Sequence, residues 1–449
     1  MLIRVYLGLL LLSAIPGQSQ LNSVPFEMSS TSREDVRMLT PPPVSNQDYP
    51  TLVGSETRSN YIGAGVVFNA AYNDNVLAGG NNMPVHDLTY SLWPTIELDQ
   101  TSTRQHRKLT YSPGFTFYHR TSALNAVDQH ALVDFEYHLS DHATITFTND
   151  FEQSSNAFGQ SFTGAVSGSS LSRPPSVLAP FATRISDSAN VGLSYQFGRN
   201  SMIGASGIGT ISHYPNPAQA LGINDTKSRG GSAFYSKRLS STQYIGLTYQ
   251  YLYSQSNPVS AQSSPLDYTI GVQTHTVLLF YTLYFSPTLS LSLSAGPQHI
   301  SSSQQGSPDF LSWAPAVMMS MARQTARTNF AASYSRTITG GSGLPGTFSS
   351  NSSNGSLRLQ VARTWALGSA AIYVNDRNIT PYFSSSNPGG HTITGTVSLQ
   401  HSMGGHLNVG AGYDRLHQSY SGIAAISSNP DSNREFISIS YQFTRALGK

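Results

Sequence analysis

The chain of 449 residues contains no cysteine. That removes disulfides, thiolate metal sites and a lipidated cysteine anchor in one step. Charge is scarce as well. Asp, Glu, Lys and Arg make up 11% of the residues, against roughly 25% in ordinary soluble proteins. The formal balance of +2 is too slight to mark a nucleic-acid binder. Past the N-terminus no apolar run is long enough for a transmembrane helix. Catalytic signatures are missing too: there is no G-x-S-x-G elbow, H-E-x-x-H pair, Walker-type glycine loop or dinucleotide fingerprint. The run G-A-S-G-I-G at Gly204 to Gly209 reads as a strand with small residues on both faces, not as a phosphate cradle. Asp141-His142 sits in a turn, where Asp serves turn chemistry, and His401 with Asp414 makes no motif. The expectation is a non-enzymatic protein needing no cofactor and no metal, with no nucleic-acid partner.

What is present is export and alternation. Met1 to Arg4 carries a positive charge, Val5 to Ile15 is apolar, and Pro16-Gly17 precedes small residues before Gln20. This order reads as a secretory signal peptide over 1–19. Residues 20–58 have little periodicity, contain Pro41-Pro42-Pro43, and read as a flexible periplasmic segment. From 59 to 449 the chain reads as one barrel-forming unit. Segments of period two recur throughout: Ala143, Ile145 and Phe147 oppose Thr144, Thr146 and Thr148, and Leu289, Leu291 and Leu293 oppose Ser290, Ser292 and Ser294. Successive side chains on a strand point to opposite faces, so each segment has one apolar and one hydroxyl face.

About eighteen such strands can be placed (16–18), and their connections sort by parity. Tight turns at Ser140-Asp141, Arg199-Asn200, Ser240-Ser241, Ser286-Pro287 and Met403-Gly404-Gly405 alternate with longer loops. The loops fall near 73–86, 119–128, 153–187, 214–228, 255–272, 300–310, 339–354, 378–391 and 418–433. Short turns on one side and long loops on the other predict an all-β, up-and-down antiparallel transmembrane barrel with an even strand count. Aromatics support this by clustering at strand ends. Tyr137, Tyr195, Phe197, Phe285 and Trp365 are predicted at one interface and Tyr251, Tyr253 and Trp313 at the other, where an amphipathic ring is best placed.

The final strand, N-R-E-F-I-S-I-S-Y-Q-F from Asn433 to Phe443, places Ile437, Ile439, Tyr441 and Phe443 on one face. A near copy, V-G-L-S-Y-Q-F-G-R, starts at Val191. This strand resembles the terminal strand of bacterial outer-membrane β-barrels, the porin-like family. It differs in that Thr444 to Lys449 trails behind the last aromatic. The resemblance implies location in the bacterial outer membrane, contact with outer-membrane lipid, and delivery by the barrel-assembly machinery. Tyr441 and Phe443 would then be the assembly signal, and the six trailing residues an overhang. The chain also looks like the barrels that accompany exopolysaccharide secretion and exosortase systems.

Charges on the polar parity are the candidate pore-lining residues: Lys108, Asp134, Glu136, Asp150, Glu152 and Arg358. In a water-filled barrel such charges set the field a solute meets; alternatively they pair with one another across strands. His130 and His138 flank the acidic pair without metal-ligand spacing. The Ser/Gly/Pro-rich loop from Gln153 to Asp187 counts as the third external loop, which in porins folds inward to narrow the pore; the alternative reading is a plain surface loop. The expected function is a porin-like channel for passive passage of small polar solutes or saccharides. The alternatives are an exopolysaccharide-secretion barrel and a non-enzymatic, adhesin-like extracellular β-protein.

Overall fold

The computed structural model describes residues 60–77, 84–155, 182–220, 222–259, 269–286, 288–304, 308–325, 327–340, 343–380, 389–421 and 431–447. The expected signal peptide and the segment 20–58 lie outside the described residues, as does 156–181 of the third external loop. The first nine strands are β1 (Tyr61–Asn73), β2 (Asp87–Thr101), β3 (Gln105–Tyr118), β4 (Ala126–His138), β5 (Ala143–Ser154), β6 (Arg184–Gly198), β7 (Ser201–His213), β8 (Asn224–Ser240) and β9 (Gln243–Pro258). The others are β10 (Ile270–Ser286), β11 (Leu289–Gln304), β12 (Phe310–Gln324), β13 (Thr328–Thr339), β14 (Phe348–Ala362), β15 (Trp365–Asn378), β16 (Gly390–Met403), β17 (Leu407–Tyr420) and β18 (Asp431–Ala446). All eighteen form one sheet in sequence order, and β1 pairs with β18 to close it. Closure pairs each strand with two neighbours and leaves no free edge strand, apart from part of one seam between β12 and β13.

The period-two pattern is realised as an apolar outside. Large exposed side chains such as Leu109, Val191, Leu193, Ile393, Val397, Ile437 and Ile439 share one parity. Trp313 is 70% exposed near one rim and Phe443 49% exposed near the other. The opposite parity carries hydroxyls that bridge neighbouring strands, as in Thr282 Oγ1 to Ser292 Oγ at 2.8 Å and Ser228 Oγ to Ser254 Oγ at 2.9 Å.

Strands are longer than alternation predicts, mostly at the loop ends. β14 begins at Phe348 and runs through S-S-N-S-S-N, a stretch polar on both faces that falls in the expected loop 339–354. A full ladder to β15 holds it regardless. Because β14 starts early it also ends early, so Trp365 opens β15 after a turn instead of closing β14. The end of the chain corrects another expectation. Thr444, Arg445 and Ala446 continue β18, opposite Gly63, Ile62 and Tyr61, and the amide of Leu447 donates to the carbonyl of Asn60 at 2.7 Å. That portion of the tail is barrel wall, not overhang.

One seam is incomplete. β12 and β13 pair only from Val317↔Arg336 to Gln324↔Asn329. Phe310 to Ala316 therefore have no partner on that side among the described residues, although they keep their ladder to β11. The upper end of β13 leaves the wall there and turns inward.

Candidate functional site

The inner face of β2 to β5 gathers most of the lumen charge. Lys108 on β3, Asp134 and Glu136 on β4, and Asp150 and Glu152 on β5 all fall on the parity opposite the exposed apolar residues. They sit on three consecutive strands, so one wall holds them together. Arg358 shares the inward parity on β14, between Asn329 and Gly368 in the ladders, and stands apart from that group.

Their partners are His130 and His138, which the sequence places beside the acidic pair, together with Glu97 and Arg184, which the sequence reading did not single out. Lys108 Nζ bonds Glu97 Oε1 at 2.8 Å, although Asp134 stands across from it in the ladder. His130 Nε2 meets Asp150 Oδ1 at 3.0 Å, and His138 Nε2 meets Glu136 Oε1 at 3.3 Å. Arg184, the first residue of β6, donates from Nη2 to Glu152 Oε2 at 2.9 Å. Asp99 on β2 takes His106 Nε2 at 3.3 Å. Glu97 and Asp99 were legible in principle, because they alternate with Ile96 and Leu98 near the end of β2. No group of three or more His, Asp or Glu side chains suited to a metal ion exists among the described residues.

Two other pairs considered for chemistry are resolved by geometry. Asp141 and His142 lie in the bend between β4 and β5. His401 lies against Trp365 on the outer face with ring centroids 4.3 Å apart and the planes tilted by 32°, while Asp414 points inward and accepts from Arg434 Nε at 2.7 Å. The barrel wall separates them.

Trp93 is an inward-facing tryptophan that alternation hides, because a large aromatic fits either face. Its ring lies over Gly114: a Cβ there would come 2.5 Å from the ring carbons, so only glycine fits beneath it.

The outer mouth is crossed by the connection between β13 and β14. Ile338 leaves the wall and packs with Ile270, Val272 and Ile300 on the inner face. Gln298 on β11 holds it like a strand neighbour. The amide of Ile338 donates to Gln298 Oε1 at 2.9 Å, and Gln298 Nε2 donates to the Ile338 carbonyl at 3.2 Å. Further along, Thr347 Oγ1 donates to Ser302 Oγ at 3.0 Å, and the amide of Asn224 donates to the Gly343 carbonyl at 2.9 Å. Gly343 has φ +91°, the left-handed backbone that favours glycine, and there the segment turns across the lumen. Leu344 and Phe348 then join Ala182, Tyr214, Ala220, Ile223 and Tyr420 in a buried apolar cluster. These residues come from the outer ends of five different connections or strands, so the cluster spans the mouth. Burial pushes the Tyr214 phenol above its ordinary value. The inward fold is thus described for the connection of β13 to β14, while the expected constriction by 153–187 falls on residues that are mostly not described. Of that loop, Ala182 contributes to the cluster.

A closed barrel that is apolar outside and hydroxyl-rich and charged inside is an outer-membrane β-barrel, since only lipid suits that outer face and only closure suits lipid. The exposed apolar belt sets aside the soluble, adhesin-like alternative. No known family profile matches the chain, and no curated protein matches it. Among solved structures it is similar to the ferric citrate transporter FecA in its unliganded form (TM-score 0.41, 14% identity, 82% of this chain and 62% of that one). It is similar also to the FrpB iron transporter of Neisseria meningitidis in its F3-3 variant (0.39, 11%, 81% and 62%) and to OpdO of Pseudomonas aeruginosa (0.39, 11%, 86% and 97%). The chain spans about 62% of the length of the first two. At these identities and scores the likeness says nothing of what the chain carries.

Proposed function

We propose that the protein is an outer-membrane channel for passive passage of small polar solutes, small saccharides among them. The observation that supports this best is the polar inner face of a closed eighteen-stranded wall. Strands about 4.8 Å apart and tilted about 40° give a cylinder roughly 36 Å across between backbones. That leaves a water-filled path after side chains take their share. The β13–β14 segment would set the constriction and the lumen charges the field within it. No cofactor enters the mechanism. A polymer-exporting role fits less well, because a sliding polysaccharide needs a wide outlet and the inward β13–β14 segment with its apolar cluster narrows the outer mouth. Planar-bilayer recording of the refolded chain tests the proposal. Discrete ohmic steps are expected. A folded, heat-modifiable protein that inserts without conductance refutes it.

A further inference from the structure

Negative charge dominates the inner wall of β2 to β5, and part of it lacks compensation. Asp128, on β4 above His130, is 2% exposed. Its Oδ1 accepts from the amide of Ser155 at 2.8 Å, and its Oδ2 has no partner among the described residues. Glu152 is 7% exposed; its Oε2 takes the Arg184 guanidinium, and its Oε1 has no partner among the described residues. Arg184 pairs with Glu152, while Asp128 has no ion-pair partner among the described residues. A buried anion without a counter-charge is costly, so a cationic group is what this cluster lacks.

Trp93 adds an independent indication of what kind of cation. Its ring covers Gly114, and Gly114 stands directly opposite Asp128 in the β3–β4 ladder. An aromatic face beside a carboxylate attracts ammonium and guanidinium groups through the ring quadrupole. The described residues provide no three-ligand cluster for a bare metal ion. Below Asp128 the same wall continues through Asp150, Asp134 and Glu136, each two or more residues apart along its strand, as successive stations for a cation moving inward.

We propose that the channel selects organic cations bearing ammonium groups, with Asp128, Glu152 and Trp93 forming the outer holding point and the rest of the acidic wall the path beneath it. This rests on the channel reading above. The test uses the refolded full chain in planar bilayers under a potassium chloride gradient, with spermidine as the probe. The reversal potential is expected on the potassium side, and spermidine is expected to block the potassium current. Asp128→Asn keeps the acceptor for Ser155 and leaves the Arg184–Glu152 pair untouched. It is expected to weaken spermidine block about tenfold or more, the loss of one charge-assisted contact. The second variant, Asp134→Asn with Glu136→Gln, changes partly exposed groups and is expected to shift the reversal potential toward zero even if Asp128→Asn does not fold. Chloride preference, no spermidine block, or unchanged selectivity in the second variant overturns the inference while leaving the channel intact. Absence of any conductance overturns the channel reading, and this inference with it.

Discussion

Replacing Gln298 by Leu tests what holds the mouth segment in place. The side chain is almost fully buried and makes two hydrogen bonds to one backbone residue, Ile338. Leucine has nearly the same volume, fills the same space and can make neither bond. Both the amide and the carbonyl of Ile338 would then be buried without a partner, at about 1–3 kcal/mol each. Taking the lower half of that range, the inward arrangement loses about 2–4 kcal/mol relative to any arrangement that re-satisfies those groups. Such an arrangement is at hand. The outer half of β12 has ladder positions with no partner toward β13 among the described residues, and the end of β13 can swing back onto them; Ile338 then stands opposite Pro315, whose carbonyl can accept from the Ile338 amide, which leaves the Ile338 carbonyl to lumen water. A shift of this size changes the ratio of the two populations on the order of thirty- to a thousandfold. Single-channel recording should show a larger main conductance step, or new transitions to a larger step, in Gln298→Leu. Gln298→Glu keeps the acceptor for the Ile338 amide and should lie between the two. Unchanged step size and unchanged noise, in a variant with normal heat-modifiable mobility, would refute the reasoning.

Four further outcomes follow from the wall. Val397, 51% exposed on the outer face, should cost about 2–4 kcal/mol when replaced by Arg near the bilayer midplane, while Ser398→Arg on the inner face should cost far less; unfolding titrations in lipid vesicles measure both, and equal costs mean the faces are misassigned. Removing 444–449 should lower the temperature at which the heat-modifiable band converts, because three ladder positions against β1 are lost; an unchanged temperature would make those pairs energetically silent. Tyr441→Ala with Phe443→Ala should reduce the amount of assembled barrel recovered from outer membranes, and wild-type recovery would remove these rings as an assembly signal. Proline at Ile439, between Val409 and Phe68 in the ladders, removes a backbone donor and should prevent closure outright, with only the unfolded band seen on gels.

Most of the architecture was legible because lipid is an unforgiving solvent. Where the outer face meets hydrocarbon, as at Leu289 to Leu293 or Ile437 to Phe443, apolar residues recur at every second position and mark the strand. Beyond the hydrocarbon that demand stops, and strands such as the first half of β14 carry Ser and Asn on both faces. Nothing in that composition separates a paired strand from a loop. The inward turn at Ile338 was hidden for a related reason. One isoleucine among threonines reads as another outward position, and its burial depends on Gln298, some forty residues away in sequence. The site was partly legible. The candidate charges were found through their parity, whereas the pairs they form and the position of Trp93 over Gly114 depend on register, which alternation alone leaves undetermined.

The unfinished seam between β12 and β13 has a consequence for how the molecule exchanges protons with solvent. In an antiparallel ladder, alternate amides of a strand point to each neighbour. On β12, the amides from Phe310 to Ala316 that face β11 are bound, and those that face β13 have no ladder partner among the described residues. Pro315 lies in this stretch, where a missing N–H costs little. Deuterium should therefore enter the outer half of β12 at every other position within the first time points. Its inner half, and all of β11, should stay protected for as long as the barrel survives. Segment-resolved exchange would see a half-labelled stripe in an otherwise silent wall. If Gln298→Leu lets β13 zip back onto β12, the same stripe should go dark, so one isotope experiment reports whether the mouth is shut.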